Sequence, residues 1–177
     1  MIKIDYMRFV NDIQTRLLTR PVFDAMIDSK GTCFYIDLIR DGKPEYKHKL
    51  PGICWQASYA QALRCEANAR PNGLFALDID HIGAEAVDEL WARTRPRIDA
   101  LDIVCFHRSP SGDGAHIVSM CQNQFDTIAE NQAWLAGELK TPYDAACHDL
   151  ARLFFVSKRD DFYYIDYETL FEDERLK

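Results

Sequence analysis

No stretch of the chain comes near the roughly 18 consecutive apolar residues of a membrane-spanning helix, so no membrane partner is expected. The opening Met-Ile-Lys-Ile-Asp-Tyr-Met-Arg is mixed in charge and lacks the apolar core of a signal peptide, which predicts a cytoplasmic protein. Cysteine pairs at metal-binding spacing are also missing. Cys33, Cys54, Cys65, Cys105, Cys121 and Cys147 form no C-x-x-C, so spacing gives no structural zinc site. In a reducing compartment they are expected as free thiols acting as small hydrophobes. Positive charge is in deficit: 21 Lys and Arg against 28 Asp and Glu leave a net charge of −7. That balance argues against an extended nucleic-acid footprint and requires any polyanion to be met by a local basic patch. No internal repeat or low-complexity segment is present.

What remains is an ordinary globular composition, 47% apolar and 12% aromatic over 177 residues. It predicts one domain spanning 1–177. Asp5 is placed to cap a helix whose face carries Tyr6, Phe9, Val10, Ile13 and Leu17, interrupted at Pro21. A short helix over Val22 to Ile27 follows, so residues 1–48 read as a helical part. Thr32 to Ile39 fits strand or helix, and the basic stretch from Lys43 to Leu50 leads into a loop at Pro51. Strands are expected at Gly73–Ile79, Leu101–Phe106 and Ala115–Met120, sharing one sheet, with a helix over Ala84–Ala92. A helix carrying Phe125, Ile128, Leu135 and Leu139 stops before Pro142. Two short strands, Leu153–Val156 and Phe162–Ile165, are joined by a charged turn, and the tail 166–177 reads as a helix. The expected class is α+β, a small and mostly antiparallel sheet flanked by helices, with its core over 49–165.

Three segments carry chemistry. In Leu77-Asp78-Ile79-Asp80-His81, alternation along a strand puts Asp78 and Asp80 on one face, as paired hard-oxygen ligands for Mg²⁺ or Mn²⁺. In Ser109-Pro110-Ser111-Gly112-Asp113-Gly114-Ala115-His116, Gly112 and Gly114 free backbone N–H groups to face an anion. Ser109 and Ser111 add hydroxyls and His116 an imidazole. Asp144 would complete a metal site from a neighbouring element, and Arg152 would pair with a phosphate in bidentate fashion.

In this order the segments resemble the motifs of the archaeo-eukaryotic primase superfamily, the primase-polymerases. Asp78 and Asp80 match its acidic pair, Ser111 through His116 its serine-glycine turn and histidine, and Tyr143-Asp144 with Arg152 its third motif. From about Lys49 to Ile165 the chain resembles most the VirE N-terminal-like branch found in mobile-element and phage proteins. The resemblance implies a primase-polymerase-like catalytic core and a metal-dependent nucleotidyl transferase of DNA replication, with Asp78, Asp80 and Asp144 as catalytic and metal residues. Ser109, Ser111, Gly112, Gly114, His116 and Arg152 would then bind the nucleotide. Nucleoside triphosphates, a DNA or RNA template and a helicase domain or protein would be the partners. Two other readings stand beside it. One is a non-catalytic module that binds a nucleotide or nucleic acid. The other is a haloacid-dehalogenase-type phosphohydrolase, which Asp78-Ile79-Asp80 fits but the following His81-Ile82 does not.

Overall fold

A computed structural model describes residues 2–171. In chain order the elements are β1 (Asp5–Met7), β2 (Arg16–Leu17), α1 (Arg20–Ile27), α2 (Lys30–Arg40), β3 (Gly52–Cys54), β4 (Ala57–Tyr59), β5 (Ala69–Pro71), β6 (Leu74–Ile79), α3 (Ala84–Thr94), β7 (Ile103–Arg108), β8 (Ala115–Met120), α4 (Ile128–Leu139), β9 (Phe154–Phe155), β10 (Phe162–Ile165) and α5 (Tyr167–Phe171). Short 3-10 turns, among them Pro44–Lys49 and Ala145–His148, fill several connections. The protein is α+β. Its strands form small antiparallel sheets in the orders β2-β1-β3-β9, β10-β7-β8-β6 and β4-β5. No helix among the described residues is long and apolar enough to cross a membrane.

The second sheet forms where the sequence is most apolar. Strand β6 pairs with β8 without interruption from Leu74↔Met120 to Ile79↔Ala115. Gly73, at φ +86°, supplies the turn into β6 that a side chain would resist. Alternation then sorts the strand. Phe75, Leu77 and Ile79 pack with Val87 of α3 and Leu135 of α4, whereas Leu74 and Ala76 pack with Ile53, Trp55 and Phe154 of the first-sheet side and Phe23 of α1. Each fully buried Leu, Ile, Val or Phe among them contributes about 1.5–3 kcal/mol. The central sheet is therefore covered by α3 and α4 on one face and by the first sheet with α1 on the other. Asp78 belongs to the alternate positions that face the first sheet.

Strands β6, β7 and β8 share one sheet, as expected. The amino-terminal part differs from its expectation: 1–48 opens with the β1–β2 hairpin before α1 and α2. Asp5 caps no helix. Its buried carboxylate accepts from the Thr15 hydroxyl at 2.8 Å and the Tyr59 N–H at 3.0 Å, tying β1 to its neighbours. Pro21 stands in the first turn of α1, where its missing N–H is no loss. The strands expected around Leu153–Val156 and Phe162–Ile165 exist, but β9 joins the first sheet and β10 the second, so no hairpin links them. The tail helix is seen over Tyr167–Phe171, and the rest of that expectation lies outside the described residues.

Candidate metal and phosphate site

The second sheet brings the chemistry-bearing segments to one end. Register pairs Asp78 of β6 with His116 of β8, and His116 with His107 of β7. The Asp78 carbonyl accepts the Asp144 N–H at 2.8 Å, which clamps the segment after α4 onto β6. Asp144 then starts the Ala145–His148 turn, its Oδ1 accepting from the Ala146 N–H at 2.9 Å. One turn on, the buried Cys147 thiol lies 3.4 Å from Asp78 Oδ2 and 3.2 Å from Asp144 Oδ2. Ligand atoms of Asp78, Asp144 and Cys147 all lie within 4.8 Å of one another. Of the three carboxylates expected to converge, Asp78 and Asp144 do so. Asp80 stands exposed on the rim, outside that trio.

The electrostatics separate the two aspartates of β6. Burial works against the Asp78 carboxylate. The His116 ring, the Cys147 hydrogen bond and the Arg152 guanidinium outweigh it and hold the pKa at about 2. Asp80 is pushed upward, first by burial and then by the Asp78 charge beside it. The Cys147 thiol is raised by burial and by the Asp78 charge, so without a cation it stays protonated and donates. Asp78 Oδ1 is buried with His116 Nε2 as its neighbour at 3.3 Å, and Oδ2 is the oxygen turned toward the Cys147 thiol, which Asp144 Oδ2 also approaches. An ionised carboxylate beside a second carboxylate, with ligand atoms within 4.8 Å of each other, is a donor set that fits a hard divalent cation.

His116 is buried behind Asp78 and does not reach outward to a phosphate as the sequence suggested. Its Nε2 lies 3.3 Å from Asp78 Oδ1, and its ring meets His107 edge-on at 4.8 Å and Phe154 at 5.4 Å. The anion-cradle expectation for the Ser109–Gly114 loop also needs correction. The Gly112 N–H donates to the Ser109 carbonyl at 2.9 Å, and the Gly114 N–H to the Ser109 hydroxyl at 3.1 Å. The Ser111 hydroxyl donates to Asp113 at 2.5 Å. These donors close the turn on itself. Gly114 is required by packing: a Cβ there would come 2.2 Å from the Ile79 carbonyl oxygen. The loop braces the end of β6, because the Asp113 carbonyl accepts from the Ile82 and Gly83 N–H groups, each at 2.9 Å. Arg152 is held at the site, with Nε on Asp149 at 3.1 Å and an Nη on the Ala146 carbonyl at 2.7 Å.

Three groups escaped the sequence reading. Cys147 is not the small hydrophobe that its sequence context predicts: it follows Asp144 at a one-turn spacing and stands between the two carboxylates. His81 was quoted but given no role. It sits at φ +53° with Nδ1 2.8 Å from Asp113 Oδ2, a bond that raises its pKa. The third is a pair of buried glutamines. Gln132 of α4 donates to the carbonyls of Ala76 at 2.8 Å and Cys147 at 3.0 Å, and Gln56 donates to that of Asp149 at 2.9 Å and accepts the Ala76 N–H at 3.2 Å. They fasten the Asp144–Asp149 segment to the middle of β6. The available signal was a polar residue at 132 in line with Ile128, Leu135 and Leu139 on the apolar face of α4.

Residues 45–164 match the sequence model of a family described as BT4734-like, N-terminal domain. It is a different family from the primase-polymerase, VirE N-terminal-like one that the motifs resembled, and no primase-polymerase family matches, so that assignment is set aside. D-x-D, a glycine turn ending in histidine and an isolated Asp with a later Arg are short patterns, and their order alone does not define a family. No curated protein and no solved structure matches the chain. The matched residues include Asp78, Asp80, the Ser109–Gly114 loop, Asp144 and Arg152 and cover more than half of the sequence, so the chain belongs to the BT4734-like N-terminal domain family.

Proposed function

We propose that this protein is a metal-dependent nucleotidyl transferase whose centre is the Asp78–Asp144 pair, with Asp80 joining from the rim. The observation that carries the reading is the meeting of two carboxylates from separate segments, Asp78 and Asp144, with the Cys147 thiol between them and ligand atoms within 4.8 Å of one another. Asp78 and Asp144 would hold Mg²⁺ or Mn²⁺. A cation there would stabilise charge on the attacking and leaving oxygens of phosphoryl chemistry. The residues of the chain do the rest. His116, packed against Asp78 at 3.3 Å, fixes the orientation of that carboxylate. Arg152, anchored beside the pair, offers its guanidinium to a triphosphate. In the reaction, a 3′-hydroxyl oxygen bonds to the α-phosphorus of a nucleoside triphosphate. The bond from that phosphorus to the bridging oxygen breaks, pyrophosphate leaves, and the hydroxyl proton passes to water. A DNA or RNA strand would supply the template.

The test is extension of a labelled primer with Mn²⁺ and nucleoside triphosphates. Wild type is expected to extend it, and Asp78→Asn, Asp144→Asn and Asp80→Asn to abolish extension while remaining folded. Full extension by a folded Asp78→Asn/Asp144→Asn variant refutes the assignment. A second reading, a nucleotide-binding module without turnover, is favoured by one observation: Asp80, the third carboxylate of the proposed centre, stands exposed outside the Asp78–Asp144–Cys147 group. Triphosphate binding with no extension on any template would select it.

A further inference from the structure

Away from the carboxylates, a groove of about 490 Å³ runs between β1 and the helices α1 and α2, within the ~300–1,000 Å³ of small-ligand pockets. Its floor is apolar, formed by Val22, Met26 and Pro51, and its walls carry Tyr6, Phe9 and Tyr35. Phe9 is 54% exposed, although a large apolar ring gains by burial. Tyr35 continues into a stack, its ring 5.9 Å from that of Tyr46 at an interplanar angle of 20°.

The charge around this groove runs against that of the chain. The protein carries −7 overall, yet the charged residues that line the groove are Arg8 and Lys49, and no acid lines it. The acids of the neighbouring helices are already neutralised. Asp24 of α1 is paired with Arg20 at 3.8 Å and Arg159 at 2.7 Å, Asp28 just past α1 with Arg159 at 2.5 Å, and Asp37 of α2 with Lys158 at 2.7 Å. Lys49 ends the Pro44–Lys49 turn, and Lys47 on the same turn bears electrostatically on Asp80 and His81. A basic track thus leads from the groove to the rim of the carboxylate site.

Apolar walls with an exposed aromatic ring and a basic edge are features by which proteins hold single-stranded nucleic acid: bases stack on rings while cations meet phosphates. We propose that the groove between β1 and α1–α2 binds a single-stranded polynucleotide, with bases against Phe9 and Tyr35 and phosphates on Arg8, Lys49 and Lys47, directing the strand toward Asp80. This rests on the nucleotidyl-transfer reading above and supplies the path of its template strand.

The experiment is fluorescence anisotropy of labelled oligo-dT and oligo-rU, in EDTA, across a salt series. Wild type is expected to bind with a salt-dependent dissociation constant, and the two oligomers distinguish DNA from RNA. Arg8→Gln/Lys49→Gln should lower the logarithmic salt slope by about 1.4, at about 0.7 per lost phosphate contact on a single strand. Phe9→Ala removes an exposed ring and so spares the fold. It should weaken binding by about fivefold to a hundredfold. Binding is read in EDTA without triphosphate, so a failure of the carboxylate assignment shows in primer extension and not here. Absence of oligonucleotide binding by wild type, or binding indifferent to both groove variants, overturns the proposal. So does an amphipathic helical peptide that occupies the groove when neither oligomer does, because that result assigns the surface to a protein partner.

Discussion

His107 should make this protein lose stability in mild acid, well above the pH at which carboxylates titrate. The ring is buried in β7, stacked on Phe162 at 4.5 Å and edge-on to His116 at 4.8 Å, with Nδ1 2.9 Å from the Arg108 carbonyl. Burial, and then the His116 charge, push its pKa from 6.5 down to about 3. The folded state therefore takes up no proton on His107 until the pH is near 3, whereas the unfolded state takes one up near 6.5. Between those values the unfolded state binds more protons, and stability rises with pH. The His107 contribution is complete above about pH 6.5 and declines as the pH falls toward 3. Each pH unit inside the window costs about 1.4 kcal/mol, so moving from pH 7 to pH 5 should remove about 2 kcal/mol. That is a sizeable share of a stability of about 5–15 kcal/mol.

Urea unfolding at a series of pH values measures this. With a denaturant slope of about 2 kcal/mol per molar, the midpoint should fall by about 1 M between pH 7 and pH 5. His107→Phe retains a ring against Phe162 and cannot be protonated. The variant should lose the Arg108 hydrogen bond, about 1 kcal/mol, and should show a nearly flat midpoint over the same interval. His81 has the opposite sign. Asp113 raises its pKa, so it favours the folded state at low pH, and its exposed position limits that effect. A wild-type midpoint independent of pH, or an equal slope in His107→Phe, would refute the assignment of a neutral buried ring at this position.

The legibility of the sequence followed the depth of burial. β6 and β8 could be read because all but one residue of each is buried, so their runs are mostly apolar. Of the first sheet only β9 could be read; β1, β2 and β3 are two or three residues long, too short for a period to show. Tyr6, Phe9, Val10, Ile13 and Leu17 have helical spacing. Yet Phe9, Ile13 and Leu17 are largely exposed, so that spacing marked no buried face. At the site, Asp78 and Asp144 drew attention as carboxylates at strand and turn ends. The Ser109–Gly114 turn looked like an anion cradle because glycine spacing does not reveal where N–H groups point. Here Gly114 answers to the Ile79 carbonyl and to no ligand. The glutamines that hold the Asp144 segment were unreadable as a pair, since Gln56 and Gln132 meet only in the folded protein.

Gly114→Ala should destabilise the protein by about 1–3 kcal/mol in urea unfolding, because the new Cβ meets backbone that cannot step aside; a neutral result would show that the loop yields. Arg152→Ala should weaken Mn²⁺-dependent triphosphate binding by about tenfold or more in calorimetric titration, for the loss of a charge-assisted contact; unchanged binding would leave the arginine as a brace for Asp149 and Ala146. Zn²⁺, which accepts a thiolate that Mg²⁺ refuses, should displace Mn²⁺ from wild type and do so far less readily in Cys147→Ser; equal displacement would put the cation out of reach of the sulfur. Gln132→Ala is the most informative, because Gln132 touches neither metal nor nucleotide in the proposed arrangement yet donates to the carbonyls of both Ala76 and Cys147, and each buried acceptor left without a donor costs about 1–3 kcal/mol. If those bonds hold Asp144 against Asp78, the variant should lose Mn²⁺ affinity along with melting temperature, whereas a lower melting temperature with Mn²⁺ affinity intact in the folded fraction would mean that the Asp78–Asp144 carbonyl-to-amide bond alone sets the spacing of the two carboxylates.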